Sequence, residues 1–197
     1  EAWIGTLRGL FKIKGKTITK AKNHGQLPSN VIKSLLPDKD QILWVGTDKG
    51  LYNYNGNKFT QIKSSSDSEN QIEDQKVYSI GLTDDKKYFI GTFGTGLFFY
   101  DPYTFRNLDE NDGFKGTTVR AVTKVKNDKV WVGTDNGLVL LKGEKIIDRL
   151  SKNEGLPSNV ILDLHYTDRG MLWIATTKGF AKYKNGRIQS FSSGLPS

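Results

Sequence analysis

The string "WVGTDKGL", which starts at Trp44, returns four more times with small changes: "WIGTLRGL", "FIGTFGTGL", "WVGTDNGL" and "WIATTKGF". The copies start at residues 3, 44, 89, 131 and 173, in steps of 41, 45, 42 and 42 residues. A period of about 40–45 residues is that of a four-stranded propeller blade. A sheet of that size has two faces to cover and cannot cover them alone, so neighbouring copies must stack.

The interior of the second copy shows how one period is filled. "VIKSLL" is a short apolar run of strand length, and "PDKD" is a turn cluster. "ILWVGT" is a second strand rich in β-branched and aromatic residues. "DKG" turns the chain, "LYNY" is a third strand, "NGN" at Asn55 reads as a type I′ hairpin turn, and "KFTQI" is a fourth strand. No window of helical length carries a 3.6-residue apolar period, so the expectation is all-β. The aromatic at Trp3, Trp44, Phe89, Trp131 and Trp173 is expected to pack between blades. Gly5, Gly46, Gly91 and Gly133, with Ala175 in the last copy, let sheets approach, and the Thr that follows bonds within the turn.

The links repeat as well. "HGQLPSNVI" starts at His24, "NEGLPSNVI" at Asn153, and "SSGLPS" closes the sequence. "FKGTTVRAV" is a shorter variant, and "SSSDSENQIEDQKV" is longer and polar, as a surface loop is. The blades read as residues 1–22, 28–63, 76–108, 117–150 and 158–191 of one partial propeller spanning 1–197. The first starts at its second strand, giving four complete blades and three strands of a fifth. That count fits part of a seven-bladed propeller whose other blades lie outside these residues or come from a second copy.

Together, "GLPSNVI" and "LWIATTKGFAKY", with the sister string "QLPSNVIKSLLPDKDQILWVGTDKGLYNY", resemble the two-component regulator propeller repeat. The resemblance covers essentially the whole chain and is weakest in the third copy, with Phe89 for Trp and one extra residue. It implies the periplasmic sensor region of a hybrid two-component histidine kinase, where such repeats build propellers that help to detect oligosaccharides. The kinase, its phospho-accepting His and any membrane span would lie outside these residues.

Composition excludes more than it selects. The chain has no cysteine, so disulfides, thiolate metal sites and Cys nucleophiles are absent. No run approaches the roughly 20 apolar residues of a membrane helix, and Glu1 leads directly into "AWIGT" without a signal-peptide pattern. The formal charge of +8 includes a cluster at Lys12, Lys14, Lys16, Lys20 and Lys22. These lysines alternate with apolar residues, as solvated strand faces do, and no nucleic acid is expected as partner. Catalytic patterns are missing: two histidines stand apart at His24 and His165, and no nucleophile elbow occurs. "GTFGTG", "KGKT" and "DENDG" each fail the spacing of a dinucleotide, phosphate or calcium loop. No enzyme activity, metal or cofactor is expected.

Binding has a natural place. In a propeller, the turns between second and third strands and the links between blades project on one face, around a concave funnel. Here the turns carry Arg8, Asp48, Lys49, Phe93, Thr95, Asp135, Asn136, Thr177 and Lys178, and the links carry Ser29, Asn30, Thr117, Thr118, Ser158 and Asn159. Amides, hydroxyls and carboxylates suit sugar hydroxyls, yet they are also what turns require. Phe93 is the foremost candidate, because no turn needs an aromatic. The expected function is a periplasmic oligosaccharide sensor, and the alternative is a protein-binding propeller of a secretion or surface system. A propeller lyase or hydrolase ranks lower, since no motifs converge.

Overall fold

The computed structural model describes residues 1–38, 42–64, 71–101 and 104–191. The "PDKD" turn, the Ser64 link and the Asp101-Pro102 turn therefore lie partly outside the described residues, and the "SSGLPS" copy lies wholly outside them. Among the described residues the regular structure is β, with short 3-10 turns, and no helix is long and apolar enough to cross a membrane.

The first sheet has three strands, β1 (Ala2–Thr6), β2 (Gly9–Lys14) and β3 (Thr17–Lys20). Four four-stranded sheets follow, each in chain order. The second holds β4 (Ile32–Pro37), β5 (Leu43–Thr47), β6 (Gly50–Tyr54) and β7 (Phe59–Gln61). The third holds β8 (Val77–Leu82), β9 (Tyr88–Thr92), β10 (Leu97–Tyr100) and β11 (Phe105–Leu108). The fourth holds β12 (Val119–Lys124), β13 (Lys129–Thr134), β14 (Gly137–Lys142) and β15 (Lys145–Leu150). The fifth holds β16 (Ile161–Tyr166), β17 (Leu172–Thr176), β18 (Gly179–Lys184) and β19 (Arg187–Phe191). The chain forms two compact units, Glu1–Ile80 and Gly81–Ser197.

Within each unit the cores lie between consecutive sheets. In the first unit, Leu10 and Ala21 of the first repeat pack with Val45, Tyr52, Tyr54 and Phe59 of the second. In the second unit, Phe89, Leu97, Phe99 and Leu108 meet Val130, Val132, Val139 and Leu141, and Trp131, Leu138 and Leu150 meet Ile161, Ile174 and Ala181. The period-2 pattern explains this: one face of each strand meets the preceding sheet and the other face the following one.

The repeated glycine sits where that contact is tightest. A Cβ at Gly46 would stand 2.7 Å from Val77, and one at Gly133 would stand 2.6 Å from Ile161. The aromatic two residues earlier lies on the same face. Trp131 meets Tyr183 edge-on at 5.7 Å, and Trp3 meets Tyr54 at 5.5 Å. Trp173 departs from the expected packing. It is 37% exposed where Trp131 is 3%, and it belongs to no buried cluster among the described residues.

Three features differ from the sequence reading. Asn55-Gly56 does not form a type I′ turn: only Gly56 has positive φ, and four residues separate the paired Tyr54 and Phe59. The Asn55 side-chain oxygen accepts the N–H groups of Asn57 and Lys58, which favours the longer Asx-type loop. Asn185-Gly186 does take the two-residue form, with φ of 51° and 76°. Single 3-10 turns, at His24–Gln26, Ile72–Asp74 and Lys152–Glu154, occupy the links. Finally, β4, β12 and β16 each carry a bulge, leaving Lys33, Arg120 and Leu162 out of register.

Candidate functional site

The turns after the second strands share one construction. Thr6, Thr47, Thr134 and Thr176 each donate the hydroxyl proton to the carbonyl of the glycine three residues on, at 2.8–2.9 Å. The same oxygens accept the N–H two residues on, from Arg8, Lys49, Asn136 and Lys178, at 2.9–3.2 Å. Thr92 does the same work in the longer third turn, donating to Gly96 at 2.8 Å and meeting the Thr95 hydroxyl at 2.8 Å.

The turn glycine then ties down the next link. Gly50 donates its N–H to Gln75, and Gly137 to Asn159, at 2.8 and 2.7 Å. In the third turn Gly94 and Gly96 both donate to the Thr117 carbonyl, at 2.9 and 2.8 Å, so the extra residue wraps the turn over the link. Shared residues thus form scaffold, and they hold the variable ones at the strand ends.

Several sequence-predicted site residues are consumed by that scaffold. The Asp135 carboxylate accepts the backbone N–H groups of Thr117 and Thr118 at 3.1 and 3.2 Å and the Thr117 hydroxyl at 2.8 Å. Ser158 accepts the Val160 N–H at 3.1 Å and lies 2.9 Å from the Thr177 hydroxyl. The Asn159 side chain accepts the Lys152 N–H at 2.8 Å. Ser29 accepts the Val31 N–H at 3.0 Å. Thr118 is buried and its backbone bridges to Phe93.

Others are exposed or cluster at the junctions between sheets. In the second unit Phe93 is 47% exposed beside the half-buried Thr95, and the side chains of Asn136 and Lys178 project into solvent. Phe93, Thr95, Thr117, Thr118 and Asp135 meet at the junction of the third and fourth sheets. Ser158, Asn159 and Thr177 meet at the junction of the fourth and fifth. In the first unit Arg8, Asn30 and Lys49 are exposed.

Asp48 separates from Asp135 despite the same "WVGTD" setting. Its Oδ1 is buried without a hydrogen-bond partner among the described residues. In the link before the second sheet, Ser29 accepts the Val31 N–H, whereas in the link before the fourth sheet Thr117 and Thr118 donate to Asp135. No group of three His, Cys, Asp or Glu side chains among the described residues could hold a metal ion.

Residues 26–49 and 155–178 match the two-component regulator propeller family. No curated protein matches the chain. Among solved structures, one similar fold is the extracellular domain assigned to the hybrid two component system BT3049 from B. thetaiotaomicron. It has TM-score 0.80 and 23% identity, over 96% of this chain and 27% of that one. The corresponding domain of BT4673 from the same organism gives 0.68 and 23%, over 84% and 22%. Virginiamycin B lyase from Staphylococcus aureus gives 0.72 and 11%, over 98% and 67%. The chain therefore spans about a quarter of the first two proteins' length. Similarity at this identity carries the fold: the chain is a β-propeller segment, and two of its stretches, residues 26–49 and 155–178, match the two-component regulator propeller.

Proposed function

We propose that this chain is part of the extracytoplasmic, ligand-sensing propeller of a two-component signalling protein, placed in the periplasm and responding to oligosaccharides. The observation that carries this reading is the match of residues 26–49 and 155–178 to the two-component regulator propeller. The similarity to extracellular domains assigned to hybrid two component systems supports it. The task is binding, not catalysis. A histidine kinase, with any membrane span, belongs to other parts of the protein.

In this reading the turns and links form the sugar-facing surface. Phe93 offers an exposed ring face for stacking on a pyranose, and the half-buried Asp48 is the acidic candidate of its own turn. Asn136 and Lys178 supply further polar contacts in the second unit, and Arg8 and Lys49 are the polar candidates of the first unit, taken by itself. Further blades of the same repeat are the expected neighbours of the fifth sheet's outer face, where Trp173 is exposed.

The test is a glycan panel on the complete extracytoplasmic region, with Phe93→Ala and Asp48→Asn as variants. Affinity should fall about tenfold or more in Phe93→Ala, since a stacked ring contributes about 1–3 kcal/mol by analogy with base stacking. An unchanged affinity in both variants removes these turns from the site. A coding frame that leads into a secretion or surface-attachment domain instead of a kinase favours the protein-binding alternative.

A further inference from the structure

A second cleft lies at the opposite strand ends from these turns, between the fourth and fifth sheets. It has a volume of about 220 Å³ and is lined by Val125, Lys126, Asn127 and Lys129 of the β12–β13 region, by Trp131 and Leu140, and by Tyr166, Gly170 and Tyr183 of the fifth sheet. Its walls are apolar: Trp131 is buried, and Tyr183 meets it edge-on at 5.7 Å and 80°. Its rim carries Lys126 and Lys129, and an acidic group acting on it is Asp148, paired across the sheet with Leu140; burial and Asp148 together push the Tyr183 pKa up.

The polar groups of this cleft lack protein partners. Lys126 and Lys129 form no ion pair among the described residues, and the Tyr166 and Tyr183 hydroxyls form no hydrogen bond there. The first unit has the equivalent cleft, lined by Trp3, Lys12, Leu43 and Tyr54 with a volume of about 250 Å³, where Lys12 stands in place of Leu140 and Glu1 in place of Lys129. The Tyr54 hydroxyl donates to Gly56 at 2.9 Å, and Lys12 pairs with Glu1 at 2.7 Å. One architecture thus occurs twice: in one junction the tyrosine hydroxyl is bonded and an acidic residue pairs with the lysine, and in the other the tyrosine hydroxyl has no bond among the described residues and lysine replaces the acid.

We propose that the cleft between the fourth and fifth sheets binds a ring carrying one carboxylate, of single-sugar size. The two ammonium groups face the carboxylate, and the phenols and the Asn127 amide supply hydrogen bonds. The Tyr and Leu140 side chains pack on the ring. About 220 Å³ equals about seven waters at about 30 Å³ each, enough for one six-membered ring and its substituent. Charge-assisted bonds from paired lysines, together with aromatic walls, select against neutral sugars and against acids without a ring. The site is separate from the turn surface and stands or falls independently of the sensor reading.

Isothermal titration of the full chain with sodium D-glucuronate, sodium benzoate and D-glucose tests this. At least one acid should bind saturably and glucose should not. Lys126→Gln with Lys129→Gln should weaken the acid about tenfold or more, and Tyr183→Phe several-fold, with far-UV spectra unchanged. Preference for glucuronate identifies a uronic acid as the ligand class, and preference for benzoate an aromatic acid; either supports the site. Binding of neither acid, equal binding of glucose, or unchanged affinity in the lysine variant overturns it.

Discussion

Gly137 holds a φ of +98°, and a Cβ there would stand 2.6 Å from the Leu150 carbonyl oxygen. Both the left-handed backbone and the close approach exclude a side chain. Gly137→Ala should cost about 1–3 kcal/mol in urea unfolding. Gly143→Ala, at a turn with open space around the Cβ, should cost less. The neighbouring Thr134 is 1% exposed, and its hydroxyl serves two backbone groups. Thr134→Val should cost about 1–3 kcal/mol, because it removes a hydroxyl bond from the buried Gly137 carbonyl and one from the part-buried Asn136 N–H. The "GTxxG" phrase is thereby explained residue by residue: the hydroxyl closes the turn, and the glycine N–H fastens the next link.

Elements gain their stability from the sheets they touch. Trp131 is covered by the fifth sheet, so Trp131→Ala should cost about 3–5 kcal/mol, whereas the exposed Trp173 should tolerate the same change far better. Chemical denaturation of the two variants separates them. The link before the fifth sheet has its own device. The Ser151 hydroxyl and backbone N–H both bond to the Glu154 carboxylate, closing a capping box over the 3-10 turn Lys152–Glu154. Those bonds hold the Glu154 pKa below its usual value. A carboxylate with a depressed folded pKa stabilises above its unfolded pKa, near 4.3. That contribution disappears as pH falls through the folded value. An NMR titration should place the Glu154 midpoint below that of a free glutamate, and Ser151→Ala should return it towards the ordinary range.

At the scale of the whole molecule, charge and repetition set the behaviour. The formal charge is +8, but of the Lys12–Lys22 lysines two lie on the central strand β2, one on the edge strand β3 and two outside the strands, and Lys12 already pairs with Glu1. A solvated strand face lacks the stacking groove that single strands require. Duplex or single-stranded DNA at about 0.15 M salt, where screening acts within about 8 Å, should show no saturable binding in a filter or anisotropy assay. Saturable binding that persists at that salt would restore a nucleic-acid partner.

The sequence by itself determined the sheet count, the strand order and where the chain turns. Each follows from local periodicity: alternation within strands, turn residues between them, and a fixed repeat length. It also marked which residues are scaffold, because a part that is repeated cannot be the part that varies. Only the tertiary structure decided which polar residues are spent. Asp48 and Asp135 share a phrase, yet one carboxylate is clamped on a link and the other keeps an unpaired oxygen. Tyr54 and Tyr183 hold equivalent strand positions, yet one hydroxyl is bonded and the other faces a cleft. The bulges at Lys33, Arg120 and Leu162 were likewise invisible, since any residue type can fill them. The physical reason is common to all three. A hydrogen-bond partner or a register shift is supplied by a neighbouring strand or link, distant in sequence, so no local pattern records it.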